Sequence, residues 1–150
     1  MWYWLILAAV VWVVTFFLVP RERFVKLLPI GFVGGTLLAF VIQYLGVVVF
    51  KLWAFNNMLL PIMGIPLFLP IAYWAEVILF IHFLPDTLWG KTLYTLAFSA
   101  ANTLVTYLMM SLGLQDFIAW SLLSTFIVAV VAHGIAIFLY PLMVERARVR

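Results

Sequence analysis

Apolar residues fill this chain in long blocks, and short clusters of charge, proline and glycine separate them. The first block runs from about Trp2 to Val19 and is closed by Pro20-Arg21-Glu22-Arg23. The second covers about Leu27 to Phe50 and stops at Lys51, and the third runs from Ile62 to Leu84, ahead of Pro85-Asp86. The fourth spans about Thr92 to Leu112, and the fifth Phe117 to Met143, ahead of Glu145-Arg146. A hydrocarbon core about 30 Å thick takes about 20 residues of helix to cross. The pattern therefore predicts an all-α integral membrane bundle, one transmembrane domain over residues 1–150 with five transmembrane helices at 2–19, 27–50, 62–84, 92–112 and 117–143. Little more than turns remains between them, so no soluble domain or long linker is expected.

Two stretches break the regular picture. From Leu52 to Pro70 the chain carries Asn56-Asn57, then Pro61, Gly64, Pro66 and Pro70. Asparagine pairs tolerate left-handed turns and proline opposes a regular helix start. This outer segment before the third helix is expected to be Pro/Gly-broken, with a kink near Pro66–Pro70, and to be either a re-entrant vestibule or an interfacial strip over 52–66. The second stretch is Gly31, Gly34 and Gly35, which share a helix face and invite close approach by another helix.

Composition narrows the class further. The chain is 69% hydrophobic and 9% charged, against about 45–50% and about 25% in soluble domains. It contains no cysteine, which excludes disulfide and thiol chemistry. The net charge of +3 is spread between apolar runs, so no basic surface for nucleic acid is expected. Its placement carries orientation instead. Arg21, Arg23, Lys26, Lys91, Arg146, Arg148 and Arg150 fall on one set of alternating segments, and Lys51 alone on the other. By the positive-inside rule the N-terminus lies outside and the C-terminus in the cytoplasm. The first block lacks a basic stretch before it and is read as a retained span rather than a leader. Trp2, Tyr3, Trp4, Trp53 and Trp120 are expected as headgroup anchors at outer ends, with Trp89 and Tyr140 at inner ends. Tyr73 and Trp74 fall deep in the third span and read as packing aromatics.

Few polar groups lie within the blocks. Glu76 sits near the middle of the third, and Asn102 at the same level in the fourth. A carboxylate at a helix centre costs about 2.5–3.5 kcal/mol to insert on translocon scales, and an ionisable residue there is a functional hypothesis by default. Such a group can carry a proton or exchange it for a cation. Its expected hydrogen-bond partners are Asn102, Thr103 or Thr106, which with Ser99 form a polar stripe on one face of the fourth helix. A weaker stripe on the fifth helix joins Ser121, Ser124, Thr125 and His133, and His133 is placed slightly to the cytoplasmic side of centre. The candidate midplane site is therefore Glu76, Asn102, Thr103, Thr106 and His133. Haem ligation by His82 and His133 is disfavoured by their offset in depth of about 6 Å, and no cofactor or metal is expected. No zinc-protease, nucleophile-elbow or Walker motif is present, which points away from catalysis.

At Gly64-Ile65-Pro66, Trp74 and His82-Phe83-Leu84-Pro85 the chain resembles a group of small uncharacterised polytopic membrane proteins of spore-forming Gram-positive bacteria. The resemblance implies a bacterial plasma membrane location and a multi-span helical fold, and it supplies no activity. Two functions stand open on the residues. One is permeation of a small solute, cation or proton through a midplane carboxylate site, with a homo-oligomer supplying any symmetry that five helices lack. The other is a structural or accessory protein that binds a second membrane protein or lipid without chemistry.

Overall fold

The computed structural model of the chain describes residues 2–144; Arg146, Arg148 and Arg150, part of the charge argument, lie outside them. Among the described residues there are five helices: α1 (Tyr3–Leu18), α2 (Arg21–Val49), α3 (Phe68–His82), α4 (Leu88–Ser111) and α5 (Leu122–Val144). Three of them, α2, α4 and α5, are long and apolar enough to cross a membrane. Helices α1 and α3 are apolar but shorter, 16 and 15 residues.

The boundaries differ from the apolar pattern for local reasons. Helix α2 begins at Arg21 rather than Leu27, because Pro20 starts a turn in which Glu22 complements the helix N-terminus. Its 29 residues give a rod of about 43 Å at 1.5 Å per residue, so its charged start projects past an apolar layer of about 30 Å. Two stretches, Gly31–Leu37 and Leu45–Val49, are wound wider than an α-helix. The first follows Pro29, which lacks an N–H, and contains three glycines with no side chains to hold the pitch.

Helix α3 begins at Phe68, not at Ile62. Residues Pro61–Ile62 (β2) and Ile65–Pro66 (β3) instead pair as a hairpin, with Pro61 opposite Pro66. Its two-residue turn, Met63-Gly64, has φ of 53° and 77°, the left-handed pair that suits strand twist. The expected kink at Pro66–Pro70 is absent: Pro70 is the third residue of α3, where its missing N–H would have no intrahelical acceptor. A second unforeseen pairing joins Trp53–Phe55 (β1) to Gln115–Phe117 (β4) in antiparallel register, Trp53 opposite Phe117. It ties the α2–α3 connection to the α4–α5 connection and delays the start of α5 from Phe117 to Leu122. Asn56 strengthens the tie, donating from Nδ2 to Asp116 Oδ2 at 2.7 Å.

Helix α3 is the centre of the assembly. It packs against α1 on one side and α2 on another, whereas α4 packs mainly on α5 and meets α3 through Phe80, which lies against Tyr94 and Phe98. Side chains of α1 and α2 donate to α3 carbonyls, Trp12 to Ile71 O at 3.0 Å and Thr36 to Pro70 O at 3.1 Å, while Thr15 Oγ1, which donates to Val11 O of its own helix at 2.7 Å, lies 3.3 Å from Ala75 O. Trp74 returns the contact, donating to Leu28 O beside Pro29 at 3.0 Å. Each such bond between apolar helices is worth about 0.6 kcal/mol. The glycines set the distance. A Cβ on Gly31 would lie 2.7 Å from Ile78 and Trp74 side-chain atoms, and one on Gly35 would run into the Tyr73 backbone.

Two apolar clusters lie toward opposite ends of the bundle. One, at the Arg21 end, gathers Leu27, Ile30, Ile78, Phe80 and Ala136; the other, at the Trp4 end, gathers Trp4, Trp53, Phe55, Leu69 and Leu114. Trp4 and Trp53 are thus core residues and not surface anchors, while Trp2 and Trp89 remain exposed. Their burial follows from the β1–β4 pairing, which folds the connection back over the helix ends. The α2–α3 crossing predicts a sharp contrast between glycines. Gly35→Ala should lower thermal stability in detergent by an amount typical of overpacking, about 1–3 kcal/mol. Gly134→Ala on α5, where a Cβ meets open space, should leave the melting temperature unchanged or raise it.

Candidate functional site

The end clusters leave a cavity of about 310 Å³ between them, bounded by all five helices. Its wall is mostly apolar, with a few converging polar groups, the usual make-up of a small-molecule site. The local sequence of α3 explains how a carboxyl group arrives there. Trp74 and Ile78 face α2, and the Ala75 carbonyl faces α1. The free face then carries Tyr73 and Glu76, three residues apart, toward the space left by α4 and α5.

Glu76 meets His133 of α5, with Oε1 3.5 Å from Nε2. On the far side of the ring, His133 Nδ1 is 3.0 Å from Ser99 Oγ of α4. The result is a line of carboxyl, imidazole and hydroxyl drawn from three helices. The His133 side chain is 5% exposed and that of Glu76 17%, so the imidazole is locked in the wall while the carboxyl group faces the cavity. Phe80 and Phe98 pack on the imidazole, with ring centroids 4.5 and 5.3 Å away. Two proton arrangements satisfy the line. With Ser99 donating to Nδ1, the Nε2–H faces a carboxylate; with Nδ1–H donating to Ser99, the Nε2 lone pair faces a carboxylic acid. The two arrangements differ by one proton, carried on the Glu76 carboxyl group, and share the same heavy-atom positions.

The arrangement differs from a nucleophilic triad in the one respect that matters. Ser99 is fully buried and does not line the cavity, and its hydroxyl lies behind the imidazole rather than at the reacting face. Its chemistry is to fix the ring. The five residues expected at the site are not all brought together. Glu76, Asn102, Thr106 and His133 line the cavity, and Thr103 does not. Thr103 Oγ1 donates to the Ser99 carbonyl at 2.9 Å and Thr106 Oγ1 to the Asn102 carbonyl at 3.3 Å, so both hydroxyls are spent on their own helix. The observed ionisable neighbour of Glu76 is His133, not Asn102, Thr103 or Thr106, because two side chains projecting across the cavity close the small offset in depth between their backbones. Neither ring nitrogen of His133 is free for an axial metal bond, since one faces Ser99 and the other Glu76. His82 lies in the last turn of α3, its Nδ1 buried without a hydrogen-bond partner among the described residues.

Two further cavity residues have partners that the sequence pattern did not indicate. Gln43 and Thr125, the latter from the stripe on the fifth helix, line the cavity and accept the indole N–H groups of Trp53 and Trp120, at 2.9 and 3.0 Å. The signal that could have found Gln43 was the nearby Trp53. Ser121 is no part of an inward stripe; it caps α5, its Oγ accepting from the Ser124 N–H at 3.1 Å. Comparison with protein-family models, curated proteins and solved structures gives no match to this chain. The functional reading rests on the site itself.

The hydroxyl–imidazole contact predicts a spectroscopic difference. Ser99→Ala should shift the ring ¹⁵N resonances of His133 and cost about 1 kcal/mol, the worth of one hydrogen bond. Thr103→Val, which touches only its own helix, should leave those resonances in place.

Proposed function

We propose that this protein is a membrane-embedded carrier for a small solute, with Glu76 and His133 as its proton-binding pair. The observation that carries the reading is the placement of that pair: a carboxyl group facing a cavity midway along a bundle, backed by an imidazole held on its far side by a buried hydroxyl. Polar groups of this kind are expensive among apolar helices and are kept where ions or substrates pass. A purely structural role needs no cavity beside the carboxyl group, since neutral interhelical glue is satisfied by direct packing.

The carrier reading takes all five helices as spans, N-terminus outside and C-terminus cytoplasmic, in a bacterial plasma membrane. Helices α1 and α3 are short because connections at the Trp4 end fold back over them. The strands β1 and β4, with Asn56 and Asp116, lie at one end of the bundle, and Arg23 in the first turn of α2 and Asp86 in the α3–α4 connection lie at the other, which supports alternating spans.

Two measurements test this reading. Single cysteines at Asn57 and Asp116 should react with an impermeant thiol reagent from outside, and those at Arg23 and Asp86 should not; reaction at all four in intact cells would contradict the orientation. In proteoliposomes carrying a pH-sensitive dye, the wild type should dissipate an imposed proton gradient, and Glu76→Gln, folded and equally thermostable, should lose most of that flux. Equal flux in both would remove Glu76 from the role.

A further inference from the structure

The cavity also carries information about what it accepts. This inference rests on the carrier reading and adds the chemical class of the solute. Among the described residues, no Lys or Arg lines the cavity, and its titratable groups are Glu76 and Tyr73 on α3 and His133 on α5. Helices α1, α2 and α4 contribute none. An anion would meet a carboxyl group with no compensating positive charge except a protonated imidazole whose Nε2 already faces that carboxyl. A small inorganic cation would have to give up water for about six or more oxygen ligands, and the wall is mainly hydrocarbon and aromatic.

The far half of the cavity decides between the remaining solutes. Trp4, Trp53 and Trp120 line it, and their indole N–H groups are occupied by the Asn56 carbonyl, Gln43 and Thr125. Trp53 and Trp120 pack on each other, centroids 5.0 Å apart, and Trp4 meets Phe55 edge-on, so with those donors spent the indoles offer the solute an aromatic wall rather than hydrogen bonds, and aromatic surroundings suit a cation. The route in is lateral. Helices α3 and α4 are joined by Phe80 against Tyr94 and Phe98 toward the Arg21 end, and farther along α4 the exposed Ala101 is part of the cavity wall.

We propose that the solute is a monovalent organic cation with an apolar or aromatic body, which enters between α3 and α4 and pairs with the Glu76 carboxylate beneath the three indole rings. Binding exchanges one positive charge for another. The O–H bond of the Glu76 carboxylic acid breaks, the proton leaves to water, and the carboxylate keeps the electron pair and holds the cation. Where the proton resides on His133 instead, the Nε2–H bond breaks and the imidazole returns to neutral, so the balance is the same.

The test uses the full-length protein in nanodiscs of zwitterionic lipid, with tetraphenylphosphonium as probe and tetraphenylborate as its anionic counterpart of like shape. Saturable binding of tetraphenylphosphonium is expected in the wild type, with release of up to one proton per bound cation, read from the buffer dependence of the binding heat. Glu76→Asp should retain binding, while Glu76→Gln should weaken it at least about thirtyfold, as loss of a buried charge partner does. Tetraphenylborate should not compete. Equal binding of the two ions, or tetraphenylphosphonium binding unchanged in Glu76→Gln, overturns the assignment. If the wild type shows a Glu76-dependent proton titration but no binding of the probe, the solute class is wrong and the proton-site reading survives. If that titration is absent as well, both fail.

Discussion

The close crossing of α2 over α3 at Gly31 and Gly35 governs what the rest of the chain can do. Once the α3 backbone lies against those glycines, with Trp74 bonded to the Leu28 carbonyl, the rotation of α3 about its axis is fixed. Helix α1 occupies a second side through Trp12 and Thr15. The face left over is the one bearing Tyr73 and Glu76, and α5 has to present something able to meet a carboxyl group. It presents His133, and α4 presents Ser99 to His133. The polar line is thus the consequence of a steric decision made on the opposite side of α3.

The same geometry accounts for the cavity. A central helix held on two sides by α1 and α2, with α4 packed on α5 instead, leaves a volume that no side chain fills. Large aromatic and aliphatic residues gather toward either end, and the strands over the Trp4 end hold Trp53 and Leu114 in place. A mostly apolar space edged by a carboxyl group strengthens each charge pairing made inside it, because the surroundings are of low dielectric.

Much of the architecture is legible in the sequence, and the reasons for the rest are physical. The helical class follows from apolar blocks, and the irregular stretch before α3 from Asn57, Gly64 and the prolines; left-handed backbone does occur at Lys51, Asn57, Leu60 and Met63. The hairpin and the β1–β4 tie are too short, at two or three residues per strand, to leave a periodic signal. Trp4 and Trp53 read as surface anchors because a tryptophan at a helix end has the same sequence signature whether the adjoining loop stands away or folds over it. The sequence groups Glu76 with His133 in one midplane site, but which of its members Glu76 meets was not legible, for a deeper reason. In an apolar bundle, lipid-facing and core-facing positions are alike in hydrophobicity, so the sequence indicates depth along a helix but not rotation about it. Glu76 could be placed near the middle; which helix it faced depended on Gly31 and Gly35.

The central claim is that Glu76 and His133 hold an exchangeable proton at the edge of the cavity. Infrared difference spectroscopy of the purified protein across mildly acidic to alkaline pH tests it without assuming any solute. The account predicts a carboxylic-acid C=O band in the wild type that disappears as pH rises, is missing from Glu76→Gln, and changes its midpoint in His133→Phe. A spectrum in which wild type and Glu76→Gln titrate identically would contradict it.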